Sequence, residues 1–312
     1  MFGTAIGDAL GWPVEFLSMD SIFQKYGIQG ITDIDTGARY TDDTQMMRAA
    51  LDGLIRARPT GEQHLERAAE EVAEDFIAWS QSPENNRAPG ASCMHGCRQL
   101  ANDVPWREAG KEDSKGCGTA MRSMAYGAWF LDHMRHAAQF AAEHALMTHR
   151  HDEAQAAAAA VAAGTSAALQ GYAPEEVCLA MRDYASLYDV NTSLLIGNAM
   201  GAARSPEIQP AQILDMWRGW TGAEAVAASV YCYLKNIRDW DTAFRYAVVM
   251  AANSPGDSDS LGAITGALTG ATVGCSRIPR GWLLRIEKSN ELGLYADRIV
   301  HARMEAFGGM RW

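Results

Sequence analysis

Apolar residues return along this chain every three to four positions. Met46, Met47, Ala50, Leu51 and Leu54 share one side of a helix drawn through 43–57, the pattern of an α-helix that buries one face. Leu65, Ala69, Val72, Phe76 and Trp79 repeat it over 65–79. The same period predicts helices over 121–131, 137–148, 154–169, 175–184, 211–217, 223–234 and 241–252. Pro174 stands at a helix entrance, where its missing N–H is no loss. Pro13 should end a helix at the start of the chain. Strand signals are weak: Val, Ile and Thr form no alternating runs, and no Asn-Gly hairpin occurs. Residues 27–40, 83–89 and 104–115 read as loops, none long enough for an interdomain linker, and no internal repeat is visible. The pattern predicts an all-α fold, a single compact domain over residues 1–312.

Composition agrees. The chain is long enough to bury a sizeable core, and 48% hydrophobic with 21% charged residues is the balance of a soluble globular protein. The alanine-rich run 154–168 is interrupted by polar residues and reads as a buried helix. No apolar run is long enough to span a membrane, and no signal peptide is apparent. A net charge of −11 without a basic stripe argues against a nucleic-acid partner. The same charge sets a condition on any anionic ligand: phosphates must be held locally, by backbone amides or metal ions. The cysteines Cys93, Cys97, Cys117, Cys178, Cys232 and Cys275 show neither paired zinc spacing nor a regular disulfide framework, which points to a reducing, cytoplasmic setting. Cys93 and Cys97, with His95 between them, read as thiols one helical turn apart rather than as metal ligands.

Two acidic clusters stand out as candidate chemistry: Thr41-Asp42-Asp43-Thr44-Gln45 and Gly256-Asp257-Ser258-Asp259-Ser260. Each precedes a helical pattern. Alone, each is explained by capping, since Thr, Ser and Asp are good N-caps and acidic first turns suit the helix dipole. Together they concentrate carboxylates and hydroxyls in a way that demands solvent or a cation. Mg2+ and Mn2+ prefer such oxygen donors, so the clusters would form a metal site if the fold joined them. The second cluster runs on through Gly262, Ala263, Gly266, Ala267, Gly270 and Ala271, a helix with a thin face that a neighbouring helix can approach closely. Gly116-Cys117-Gly118-Thr119 also precedes a helix, and backbone amides at such an end can cradle a diphosphate.

At these residues the chain resembles the ADP-ribosylglycohydrolase family, in particular the branch of the dinitrogenase reductase-activating glycohydrolase. Gly7-Asp8-Ala9-Leu10-Gly11 with Glu15-Phe16 is similar to the family's opening, and Thr41-Asp42-Asp43-Thr44-Gln45-Met46 to its first metal motif. Gly116-Cys117-Gly118-Thr119-Ala120-Met121-Arg122 is similar to its glycine-rich segment and Thr148-His149 to its histidine motif. Gly256-Asp257-Ser258-Asp259-Ser260 with Gly262-Ala263 is similar to its second metal motif. The motifs keep the family's order over nearly the whole chain.

The resemblance implies an orthogonal all-α bundle holding two divalent ions, Mg2+ or Mn2+. It implies hydrolysis of the glycosidic bond at the distal ribose of an ADP-ribosylated protein, with ADP-ribose as product. Carried over by position, Thr41, Asp42, Asp43, Asp257, Asp259 and Ser260 would be metal ligands. Gly116, Cys117, Gly118, Thr119 and His149 would contact substrate, Glu15 and Asp257 would serve the acid–base step, and Asp8 would be a supporting carboxylate. Ser260 replaces a usual threonine and keeps the hydroxyl, Pro255 replaces a common glycine, and Cys117 replaces the usual asparagine. Residues 15–27 are similar to the arginine-directed bacterial branch, so arginine-linked ADP-ribose is the first expected substrate and serine-linked the second. The alternative on the same fold is a non-catalytic ADP-ribose binder or a toxin-blocking immunity protein; oxygen donors at every ligand position favour the enzyme. His151 has no such support and reads as solvated. Trp106, Trp129, Trp217, Trp220 and Tyr231 are candidates to stack on adenine, although aromatics at helical spacing are mostly core.

Overall fold

Helix α1 (Phe2–Gly11) opens the structure, a computed structural model that describes residues 1–308. A 3-10 turn, Trp12–Val14, follows it with Pro13 in its first turn, so the proline ends the helix as its ring requires. Next come α2 (Met19–Tyr26), α3 (Asp42–Ala57), α4 (Leu65–Ser80) and α5 (Ala91–Ala101). A second 3-10 helix, Cys117–Arg122, leads into α6 (Met124–Trp129), α7 (Met134–Ala145), α8 (Asp152–Leu169), α9 (Pro174–Ala185) and α10 (Val190–Arg204). The chain continues through α11 (Pro210–Met216), α12 (Gly222–Asn236), α13 (Trp240–Ala252), α14 (Ser258–Val273), α15 (Arg280–Arg285) and α16 (Ser289–Ala306). Among the described residues there is no sheet, only isolated backbone bridges, two of which tie His149 to Lys111 and Gly116 to Thr221.

The predicted helices are present, with one difference. The helix expected over 121–131 is broken, because the segment starts as the 3-10 helix and Ser123 Oγ donates to the Thr119 carbonyl at 2.7 Å before α6 begins. Helices α2, α10, α15 and α16 lie outside the predicted spans: α2 is amphipathic but only eight residues long, α15 has six, and α10 and α16 carry weak periodicity. In α10, exposed Val190 and Leu194 together with Gly197 and Gly201 blur the apolar stripe.

α8 lies at the centre. Its alanines are buried all round, and it packs against α6, α7, α9, α12 and α14. Small side chains on every face let several helices approach one axis. One contiguous hydrophobic core runs from Ala5 to Ala302.

The pairing that builds the site is α1 on α14. A Cβ added at Gly7 would lie 1.9 Å from the Gly262 carbonyl oxygen, and one at Gly262 would lie 2.2 Å from that of Gly7. Gly3 and Gly266 repeat the contact one turn away, and Gly11 meets the Ser258 carbonyl. The thin face of α14 is thus matched by glycines every fourth residue of α1, and the two backbones touch. Ser258 Oγ donates to the Gly11 carbonyl at 2.9 Å and locks the register. Asp8 is thereby carried to the N-terminal end of α14, where Asp257 and Asp259 begin the helix.

Candidate active site

Thr41 is the N-cap of α3, and its Oγ1 accepts from the Asp43 amide at 3.4 Å. That bond is long, and a second cap arrives from α1. The Asp8 carboxylate accepts from the Thr41 amide at 2.8 Å, the Thr44 amide at 3.1 Å and Thr44 Oγ1 at 2.6 Å. Asp8 satisfies orphan donors of the helix end, so the buried Asp42 and Asp43 carboxylates are not needed as caps and line the cleft. Asp42 Oδ2 accepts from the Gly90 amide at 3.1 Å. The turn before them is clamped on both sides: the Tyr40 amide donates to Glu287, and the Tyr40 carbonyl accepts from buried Arg87, which is itself ion-paired with Glu287.

Asp257 is the N-cap of α14, yet its carboxylate makes no capping bond. Instead, Cys117 Sγ–H donates to its Oδ2 at 2.7 Å. Capping therefore does not account for this carboxylate. Gly256 is required beside it, since a Cβ there would lie 2.1 Å from the Arg218 carbonyl oxygen. The Phe16 amide donates to the Gly256 carbonyl at 3.0 Å, which pins the loop after Pro13 against the second cluster. Phe16 takes a left-handed backbone, φ 62°, a strained choice for this residue type. The loop so held brings Glu15 to the carboxylates: Glu15, Asp257 and Asp259 present oxygens within 4.8 Å of one another.

These side chains line one cleft of about 220 Å³ together with Asp42, Asp43, Ser260, Gly116, Cys117, Gly118 and His149. Thr41 and Thr119 do not line it. Thr119 Oγ1 turns away to donate to the Ala154 carbonyl at 2.7 Å. Of the candidate aromatics only Trp220 borders the cleft, stacked on Phe16 at 5.5 Å with the rings 7° from parallel. Trp129, Trp217 and Tyr231 are buried in the core, and Trp106 bonds Glu66 on α4. His151 caps α8 through Nδ1, which accepts from the Glu153 amide at 3.1 Å, so it is a structural cap rather than a freely solvated side chain. Cys93 and Phe16 border the cleft without having been singled out as lining residues; the only local hint for Phe16 is its place beside Glu15 after a proline.

The electrostatics are those of a crowded acidic floor. Burial, then the Asp257, Asp42 and Asp8 charges, push Glu15 up to about 8. Burial drives Asp43 and Asp259 upward as well, reinforced by the neighbouring carboxylates. Asp43 Oδ1 is buried with no hydrogen-bond partner. Crowded carboxylates with too few donors and no basic partner among the described residues, one buried oxygen having none at all, are the environment a hard divalent cation satisfies, so the residues present fit such an ion.

The ADP-ribosylglycohydrolase family profile matches residues 1–307. The ADP-ribosyl-[dinitrogen reductase] glycohydrolase of Rhodospirillum rubrum is 27% identical over 300 residues, 93% of this chain and 89% of that protein. The ADP-ribosylarginine hydrolase Tri1 of Serratia proteamaculans is 34% identical over 67 residues, 21% of this chain and 18% of that one. A solved chain described as an ADP-ribosylglycohydrolase-related protein complex shares the fold with a TM-score of 0.74, at 23% identity over 97% of this chain and 95% of its own. Profile and fold agree over nearly the full length: the chain belongs to the ADP-ribosylglycohydrolase family and is a hydrolase of ADP-ribosyl glycosidic bonds.

Proposed function

We propose that the protein is a divalent-metal-dependent hydrolase that removes ADP-ribose from arginine side chains of modified proteins. The observation that carries this reading is the meeting of Glu15, Asp257 and Asp259 within 4.8 Å on the floor of one cleft. The substrates for which two relatives are named, dinitrogen reductase and ADP-ribosylarginine, support a protein-linked and arginine-linked target. The Phe16–Trp220 pair beside the carboxylates suits a planar guanidinium, which is attracted by both aromatic faces and negative charge. All six cysteines are unpaired, which supports a reducing cytoplasmic setting, and no helix among the described residues is long and apolar enough to cross a membrane.

Asp42, Asp43, Asp257 and Asp259, with the Ser260 hydroxyl, are the cleft residues that would hold two ions, Mg2+ or Mn2+, while the Thr41 hydroxyl, outside the cleft, donates to Asp43 Oδ2 at 3.2 Å and would hold that carboxylate in place. Such ions would supply positive charge that keeps these carboxylates and Glu15 ionised, and would bind hydroxyls of the distal ribose. The chain's own groups do the rest. Glu15 positions a water and takes its proton as the water oxygen bonds to C1″, with Asp257 beside it as the second carboxylate. The electron pair of the breaking C–N bond leaves with the guanidine nitrogen, which recovers the proton. The transition state is oxocarbenium-like and is favoured by the acidic floor. The backbone of Gly116–Gly118 and His149 hold the diphosphate on the wall that adjoins Asp257 through Cys117.

The test is release of ADP-ribose from an arginine-modified and a serine-modified protein, with Mg2+ or Mn2+, with chelator, and with Asp257→Asn. Turnover of the arginine substrate that chelator and Asp257→Asn both abolish is expected. Undiminished turnover in chelator would sink the metal assignment, and turnover of the serine linkage alone would sink the arginine assignment.

A further inference from the structure

Arg122 is 2% exposed, and no carboxylate pairs with it among the described residues. Its guanidinium sits 4.7 Å from the centre of the Phe76 ring, and Nη1 meets the Met46 and Cys93 sulfurs at 3.7 Å. Burying an unpaired cation is costly, so its one short contact with oxygen carries weight. Nη2 donates to Thr148 Oγ1 at 2.8 Å.

Thr148 Oγ1 in turn lies 2.8 Å from His149 Nδ1 and 3.5 Å from the Ala145 carbonyl. A hydroxyl has one proton to give, and arginine only donates. The Thr148 proton therefore goes to the shorter contact, and Nδ1 accepts it. Burial, with the Arg122 and Lys111 charges, holds the ring down at about 3, so it stays neutral. A neutral imidazole that accepts at Nδ1 carries its proton on Nε2.

His149 is itself 2% exposed, and its Nε2 makes no hydrogen bond among the described residues. It faces the glycine-rich wall: a Cβ at Gly116 would lie 3.1 Å from Nε2 and one at Gly118 3.3 Å. Both glycines and the histidine line the cleft.

We infer that Arg122 and Thr148 are positioning residues that lock His149 as the Nε2–H tautomer, a neutral donor aimed at a diphosphate oxygen on the Gly116–Gly118 wall. The diphosphate as ligand rests on the proposed function; the relay of hydrogen bonds stands on geometry. The arrangement lets an acidic protein meet an anion with a donor backed by a buried cation, while the guanidinium itself stays out of the cleft.

Long-range 1H–15N correlation spectra of histidine-labelled protein read the tautomer directly. The expected result is an unprotonated Nδ1 and a protonated Nε2 at His149 between about pH 5 and pH 8; a proton on Nδ1 overturns the inference. Thr148→Val removes the hydroxyl with little change of shape. It should mix the tautomers and weaken ADP-ribose, titrated calorimetrically with Mg2+ or Mn2+ present, by about tenfold, the worth of one charge-assisted hydrogen bond. Thr148→Ser should restore both. Unchanged tautomer or affinity in Thr148→Val overturns the inference. Wild-type protein that shows the expected tautomer but binds no ADP-ribose would uphold the relay and sink the proposed function instead.

Discussion

Glu15 shows what a residue's neighbours add to its type. On its own it is one carboxylate after a proline; in the cleft it is half-buried and held with Asp257 and Asp259. Glu15→Gln keeps the shape and removes the proton acceptor, so kcat on an arginine-ADP-ribosylated protein should fall by about 10²–10⁴-fold with KM nearly unchanged. A steady-state assay checks this, and a loss confined to KM would move Glu15 from chemistry to binding. Trp220 belongs to the same scale. Trp220→Ala removes one ring of the pair over the carboxylates and should raise KM for the arginine substrate by about tenfold, the range of a partly desolvated cation–π contact. Equal losses on serine-linked substrate would argue against guanidinium recognition. Sequence marked Trp220 only as one of several aromatics, because exposure at the cleft depends on which helices cover the others. Asp8 was legible as a supporting carboxylate, but its three bonds to the start of α3 needed the crossing of α1 and α14.

At the scale of elements, the crossing of α1 on α14 controls the site. The thin face of α14 was readable from its small residues; its partner was not, since nothing local says which glycine-bearing helix will lie against it. Gly262→Ala would place a Cβ 2.2 Å from a backbone oxygen of Gly7 that cannot swing aside. It should cost about 3 kcal/mol, the upper part of the overpacking range, in chemical denaturation, and lower activity with it by moving Asp8. Gly293 on α16 is the control, because open space surrounds it. Gly293→Ala should stabilise by about 0.5–1 kcal/mol through helix propensity alone. Equal effects at the two positions would contradict the close-contact account. The predicted helix over 121–131 breaks for a related reason. The Gly116–Gly118 backbone packs under His149 and the Cys93 sulfur, and the chain turns into α6 only after that contact is made.

For the whole molecule, charge and the cleft set the dependence on pH and metal. Burial holds protons on Glu15 and Asp42 up to about 8 in the folded state, whereas the unfolded carboxylates release them near 4.5 and 3.8. The folded form then binds more protons between those limits, so stability declines as pH rises. Without metal, this contribution is fully present below the unfolded values and is lost as pH climbs through about 8. Thermal unfolding of metal-free protein should show a falling midpoint between about pH 5 and pH 8. At the upper end Mg2+ or Mn2+ at a hundred times its dissociation constant should restore about 4 °C for each ion bound. A midpoint indifferent to both pH and cation would remove the acidic floor as a cation site.

The all-α class, most helix positions, the Thr and Asp residues at helix starts and the order of the family motifs are legible in the amino-acid order alone. These follow from local spacing and from side chains acting on their own backbone. It takes the packed helices to show that Asp257 makes no side-chain cap and instead faces Glu15, that Thr119 turns to Ala154 while His149 faces the glycines, and that Trp220 borders the cleft. Those outcomes depend on contacts between residues far apart in the chain. Such contacts are selected by which helix surfaces can pack closely enough to exclude water, and no local pattern states that.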